Sequence, residues 1–109
     1  MAIDVKITDN SDEFLNALPE QIEQALIAIG LTAESYAKKD CPVDTGRLRN
    51  SITNAVMADE KAVYIGSNVE YAAFVELGTS RMKARPYLRP AATEHTAEYK
   101  RLAEQALKG

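Results

Sequence analysis

The pattern of this chain predicts an α+β fold: a small antiparallel sheet with two long amphipathic helices packed on one face and a short third helix. Three observations carry that expectation. Ile3-Asp4-Val5-Lys6-Ile7-Thr8 alternates apolar and polar residues, the period of a half-buried strand. Segments 52–57 and 62–67 read as two further strands, joined by the short polar run Ala58-Asp59-Glu60-Lys61 of a β-hairpin. Two stretches, one after Pro19 and one around Pro90, repeat apolar residues at helical spacing. The order is therefore β-α-β-β-α-α, and runs of this kind pack as helices against one side of an antiparallel sheet.

Taken in order, strand 3–8 ends in the turn Asp9-Asn10-Ser11, where Ser11 or Asp12 can cap a first short helical turn. Pro19 suits the first position of a helix, because its missing N–H would have no intrahelical partner there. Ile22, Leu26, Ile29, Ala33 and Tyr36 then form one apolar stripe, so this helix runs to about Lys39. Gly30 inside it costs about 1 kcal/mol relative to Ala, which is tolerable where a neighbouring element passes close. Lys38 and Lys39 sit at the negative end of the helix dipole, and Pro42 stops the helix. Asp44 or Thr45 caps the short turn 46–50, and Gly46 lets the backbone bend. Arg47 and Arg49 then point out while Leu48 and Ile52 point in. After the hairpin, Asn68 is a candidate cap for a two-turn helix carrying Tyr71, Phe74, Val75 and Leu77, with Gly78 as its left-handed stop. Residues 79–85 have no period and four long side chains, which predicts an exposed, mobile loop. Pro90 opens the terminal helix, whose stripe is Leu88, Ala92, His95, Tyr99, Leu102 and Ala106.

A chain of 109 residues and 12.0 kDa has room for one domain, spanning 1–109, around one modest core. Its longest apolar run, Ala25-Leu26-Ile27-Ala28-Ile29, is too short to span a bilayer, and the start lacks the basic and apolar regions of a signal peptide. The single cysteine, Cys41, cannot form an internal disulfide, which agrees with a reducing cytoplasm. Net charge is only −3, but the charge is segregated. Residues 1–35 carry Asp4, Asp9, Asp12, Glu13, Glu20, Glu23 and Glu34 against Lys6, whereas residues 81–92 carry Arg81, Lys83, Arg85 and Arg89 with no acid. That split suits copies docking head to tail, acid to base, or else two separate solvated faces.

The chain lacks the residue sets that catalysis needs. His95 and Cys41 alone do not make a transition-metal site, and His95 falls on an apolar stripe, where a core or interface role outweighs general-base chemistry. Cys41 follows a helix C-terminus, where the dipole raises a thiol pKa, so a small buried residue is the better reading. Asp44-Thr45-Gly46 lacks the glycines and the Lys-Ser/Thr ending of a phosphate loop. Glu76 lies at the unfavourable end of its helix dipole. It is either solvated or buried against a bidentate partner from Arg47, Arg49 or Arg85. A nucleic-acid reading rests on Arg81, Lys83, Arg85 and Arg89 with Tyr87 interleaved, as in a small DNA-binding or regulatory module of a mobile element. The acidic total stands against it.

Two motifs remain. The first is Pro42-Val43-Asp44-Thr45-Gly46 with Leu48-Arg49 and Ser51-Ile52. The second is Tyr71, Phe74-Val75-Glu76 and Gly78-Thr79, followed by Arg85-Pro86-Tyr87-Leu88-Arg89-Pro90-Ala91. In their order and spacing, over roughly residues 10–108, the chain resembles the small head–tail joining or tail-completion proteins of long-tailed phages and prophages. The resemblance implies a non-enzymatic virion protein with no cofactor, assembled in the bacterial cytoplasm as a homo-oligomeric ring, six-fold, where portal and tail meet or at the tail end. It implies portal or connector and tail-tube or tail-terminator proteins as partners, DNA only as cargo in the channel, and no membrane or small-molecule substrate. Asp44, Thr45, Gly46, Leu48, Ser51, Gly78, Pro86 and Pro90 are then the structural motif residues. Arg47, Arg49, Glu76, Arg81, Lys83, Arg85 and Arg89 are the candidate subunit or partner interface.

Overall fold

A computed structural model describes residues 3–42 and 46–108. The strands are β1 (Ile3–Thr8), β2 (Thr53–Met57) and β3 (Ala62–Ser67). The helices are α1 (Asp12–Leu15), α2 (Pro19–Asp40), α3 (Arg47–Ser51), α4 (Ala72–Leu77), α5 (Leu88–Thr93) and α6 (Thr96–Lys108). The fold is α+β, as the sequence predicts, and its two long helices are α2 and α6.

The sheet is antiparallel in the order β1-β3-β2. Register Val5↔Ile65 and Ile7↔Val63 on one side, Asn54↔Ile65 and Val56↔Val63 on the other, gathers the apolar side chains on one face. The hairpin between β2 and β3 closes through a 3₁₀ turn, Ala58–Glu60, with Lys61 left-handed at φ 53°. Helix α2 crosses that face, α5 covers β1, and α6 packs chiefly along α2. The core they share centres on Phe14, Leu26, Ile52, Val63, Ile65, Tyr87 and Leu88. Gly30 is where α2 comes closest to the sheet: a Cβ there would stand 2.8 Å from Asn54 Oδ1 and 2.8 Å from Val63 Cγ2. The same seam is tied by Asn54 Nδ2 donating to Glu34 at 2.9 Å.

Several boundaries differ from the sequence expectation: Ile52 is the C-cap of α3 rather than the start of β2, and the helix expected to open at Pro90 opens at Leu88, with Pro90 as its third residue. The C-terminal stripe does not lie on one helix, because α5 ends at Thr93 and α6 begins at Thr96. The Thr93 hydroxyl donates to the Arg89 carbonyl at 2.8 Å, a back-bond that competes with helix propagation, and the His95 carbonyl restarts the ladder by accepting from Tyr99. His95 sits at the break, its ring stacked on Tyr36 with centroids 3.5 Å apart, and the Tyr36 hydroxyl donates to Glu98. Nor does Asn68 cap α4, whose N-cap is Tyr71. The buried Ser67 hydroxyl accepts from Val69 N–H at 3.1 Å, and the chain makes a further turn before the helix starts.

Candidate assembly interface

The two motifs meet at the C-terminal end of α2. Cys41 is the buried C-cap of that helix. Burial pushes its thiol pKa up, and the charges of Arg49 and Arg85, one from each motif, oppose the shift. Tyr87 is fully buried and donates its hydroxyl to the Ala72 carbonyl at 3.1 Å; burial pushes its phenol up, helped by Cys41 and Glu76.

The first motif is organised from within. Gly46 is the N-cap of α3 at φ 76° and ψ −18°, and its carbonyl accepts Asn50 N–H at 3.0 Å. Asp44 and Thr45, expected to cap this turn, lie outside the described residues. Leu48 and Ile52 are buried while Arg47 and Arg49 are exposed, as the spacing predicts. The Ser51 hydroxyl donates to Leu48 O at 2.6 Å and contacts Ser67 Oγ at 2.6 Å, joining α3 to the end of β3. Arg47 forks onto Glu70 with two bonds of 2.9 Å and lies over the Tyr71 ring at 5.6 Å. That pair holds the Glu70 carboxyl below its usual range. The sequence reading missed Glu70, since nothing in its spacing marks it as the partner of a residue 23 positions away.

The second motif turns on Glu76. Its side chain is buried, one of the two alternatives left open by the sequence, but what holds it is main chain rather than the anticipated arginine. Oε1 accepts the N–H groups of Tyr87 at 2.9 Å and Leu88 at 2.8 Å, and Oε2 accepts that of Arg89 at 3.1 Å. These belong to the N-cap and first two positions of α5, groups with no intrahelical acceptor. The next position is Pro90, which has no N–H to satisfy. One carboxylate and one proline therefore complete the start of α5, and the anion sits at the positive end of its dipole. A sequence signal existed: an acid misplaced at one helix end, with a proline in the first turn of the next.

Between them runs the turn expected to be a mobile loop. It is exposed, as predicted, but it is tied to itself and to α4. Thr79 N–H donates to Met82 O at 2.8 Å, Thr79 Oγ1 accepts from Arg81 and Met82, and Arg85 N–H donates to Val75 O at 2.8 Å. Gly78 roots the turn at φ 78° and ψ 174°, a conformation left to glycine, and a Cβ there would stand 2.7 Å from Ala84 N. Pro86 is exposed and Pro90 half-buried, and the side chains of Arg81, Lys83 and Arg89 are exposed around the same end of the molecule.

Among the described residues, no group of three or more His, Cys, Asp or Glu side chains could hold a metal ion, and no helix is long and apolar enough to cross a membrane. The arrangement is one of packed elements, a carboxylate-capped α5 and exposed charge. A family model described as "Bacteriophage HK97-gp10, putative tail-component" matches residues 6–78, which take in the first motif and the second as far as Gly78. No curated protein and no solved structure matches the chain.

Proposed function

The chain belongs to the HK97-gp10-like bacteriophage family, and on that premise we propose that it is a non-enzymatic virion subunit that assembles into a ring at the head–tail junction or the tail end. Under this reading it is made in the host cytoplasm as a single domain and carried into the virion. Its partners are further copies of itself together with portal and tail-tube or tail-terminator proteins. DNA is cargo passing through the ring. The tail-component role comes with the family; the ring, its position and its partners are the proposal.

The observation that supports it most is the placement of charge. The molecule is elongated, 47 × 23 × 22 Å, and α2 runs along it for about 33 Å at about 1.5 Å per residue. The acids Asp12, Glu13, Glu20 and Glu23 lie in α1 and the first turns of α2. The charges of Arg49 and Arg85 are felt at Cys41, the C-cap of α2, and Arg81, Lys83 and Arg89 stand exposed on the turn and helix on either side of Arg85. A subunit with unlike ends associates head to tail, and such contacts close into rings when the rotation per copy allows it.

Native mass spectrometry over a concentration series tests this, alone and with tail-tube or portal protein. A closed assembly is expected, about 72 kDa for six copies of a 12.0 kDa chain. A chain that stays monomeric under all those conditions refutes the ring. Salt-sensitive retention of duplex DNA by a monomer would instead support the DNA-binding module.

A further inference from the structure

Apolar side chains stand exposed at both ends of the molecule, each set beside charges of one prevailing sign. At the C-terminal end of α2, Phe74 and Leu77 occupy one face of α4 at helical spacing, 45% and 55% exposed. The turn that follows carries Met82, 39% exposed, and folds its backbone back to the end of α4, where its carbonyl would lie 2.9 Å from a Cβ on Gly78. Arg81 and Lys83 flank Met82 on the same turn. At the opposite end, Leu15 and Leu18 are 38% and 61% exposed at the junction of α1 and α2. Glu13 and Glu20 stand beside them, and an open groove of about 430 Å³ runs from Glu13 and Ala17 to Glu104 and Leu107 on α6. Lys61 and Lys108 are the cations nearby, and Lys61 is tied to the Leu15 carbonyl at 2.7 Å.

We propose that the Phe74–Leu77–Met82 surface of one copy docks on the Leu15–Leu18 end of the next, with Arg81 and Lys83 facing Glu13, Glu20 and Glu104. The occupant is a second copy of this chain because one molecule carries both halves of the complement. Three exposed apolar side chains with cations beside them in one part of the chain match an exposed apolar pair with acids beside it in another. An interface of this composition has an apolar centre and a charged rim that sets orientation. The proposal rests on the ring reading and deepens it by naming the contact surfaces.

Charge reversal at each end tests it with the full-length chain. Arg81→Glu/Lys83→Glu and Glu13→Lys/Glu20→Lys change exposed positions, and a thermal melt of each variant confirms that it folds. Each variant alone should lose assembly by at least tenfold in the concentration required. An equimolar mixture should assemble again, since one junction joins two unaltered ends and the other joins two reversed ones. Leu77→Ser should weaken assembly without changing its salt dependence. If the parent assembles and neither reversal matters, or only one does, the surfaces are misassigned while the ring reading stands. If mixing fails to restore assembly, the two ends do not meet each other. If both reversals leave self-assembly intact but abolish binding to portal or tail-tube protein, the occupant is that protein and the proposal is wrong. A parent that never assembles overturns the ring reading itself.

Discussion

Replacing Glu76 by Gln isolates what the buried carboxylate contributes. The substitution keeps shape and volume but removes the charge and turns one oxygen into an NH₂ donor. With the amide oxygen left on Tyr87 and Leu88, the NH₂ faces the N–H of Arg89 and that bond becomes a donor–donor contact. A hydrogen bond to a charged group is worth about 1.5–3 kcal/mol, and an anion at a helix N-terminus adds about 0.3–2 kcal/mol. Desolvating the carboxylate offsets part of this, so a net loss of about 2 kcal/mol is expected for Gln. Alanine leaves three first-turn N–H groups without their acceptor, at about 1–3 kcal/mol for each that water cannot reach. Against a total of about 5–15 kcal/mol, the alanine variant should be largely unfolded or close to it. Urea denaturation followed by circular dichroism reads both, and the Gln variant should melt about 10 °C lower, from about 4–8 °C per kcal/mol in a domain of this size. A Gln variant within about 0.5 kcal/mol of the parent would refute the capping argument. One that melts like the parent yet fails to assemble would return Glu76 to the interface.

Three further outcomes follow from the same packing and backbone geometry. Gly46→Val should cost about 1–2 kcal/mol through its left-handed backbone, since among the described residues other than its chain neighbours the nearest atom a Cβ would meet is Asn50 Nδ2 at 4.0 Å; equal denaturation midpoints would remove the conformational explanation. Gly30→Ala should destabilise by about 1–3 kcal/mol despite the better helix propensity of alanine, since the added methyl overlaps Asn54 and Val63; a more stable variant would mean that the seam relaxes freely. Burial raises the phenol pKa of Tyr87 and Tyr99 above the ordinary value near 10, so their contribution to stability is complete below about pH 10 and is lost as pH rises from there towards the folded pKa. The slope is about 1.4 kcal/mol per pH unit for each phenol, and Tyr99→Phe should flatten it in denaturant melts at pH 9 to 11; an unchanged slope would show that Tyr99 does not carry it.

Periodicity made much of the fold legible. The alternation of β1 and the stripe of α2 depend on side chains meeting a common core, and both elements stand where their period puts them. The break between α5 and α6 was hidden because the stripe Leu88, Ala92, His95, Tyr99 keeps its phase across residues 94 and 95, and the back-bond from Thr93 has no pattern of its own. At the candidate interface, exposure of Arg81, Lys83 and Arg89 could be read from composition. The partners of Glu76 could not, because a main-chain N–H is carried by every residue but proline. Thr79 at the head of its turn was the one local clue that residues 79–85 fold back on themselves.

The carboxylate under α5 also bears on the speed and cost of association. A disordered basic loop would have to lose backbone freedom on meeting a neighbour, at about 1–2 kcal/mol per residue fixed. Here Gly78, the Thr79 hydroxyl and the Arg85–Val75 bond set the backbone of the turn while the subunit folds, and Glu76 fixes the element that follows. The entropy is spent before any partner arrives, so binding has mainly side-chain rotamers left to order. If copies of the chain form the proposed ring, it can close through several small contacts, because the turn is already shaped when they meet.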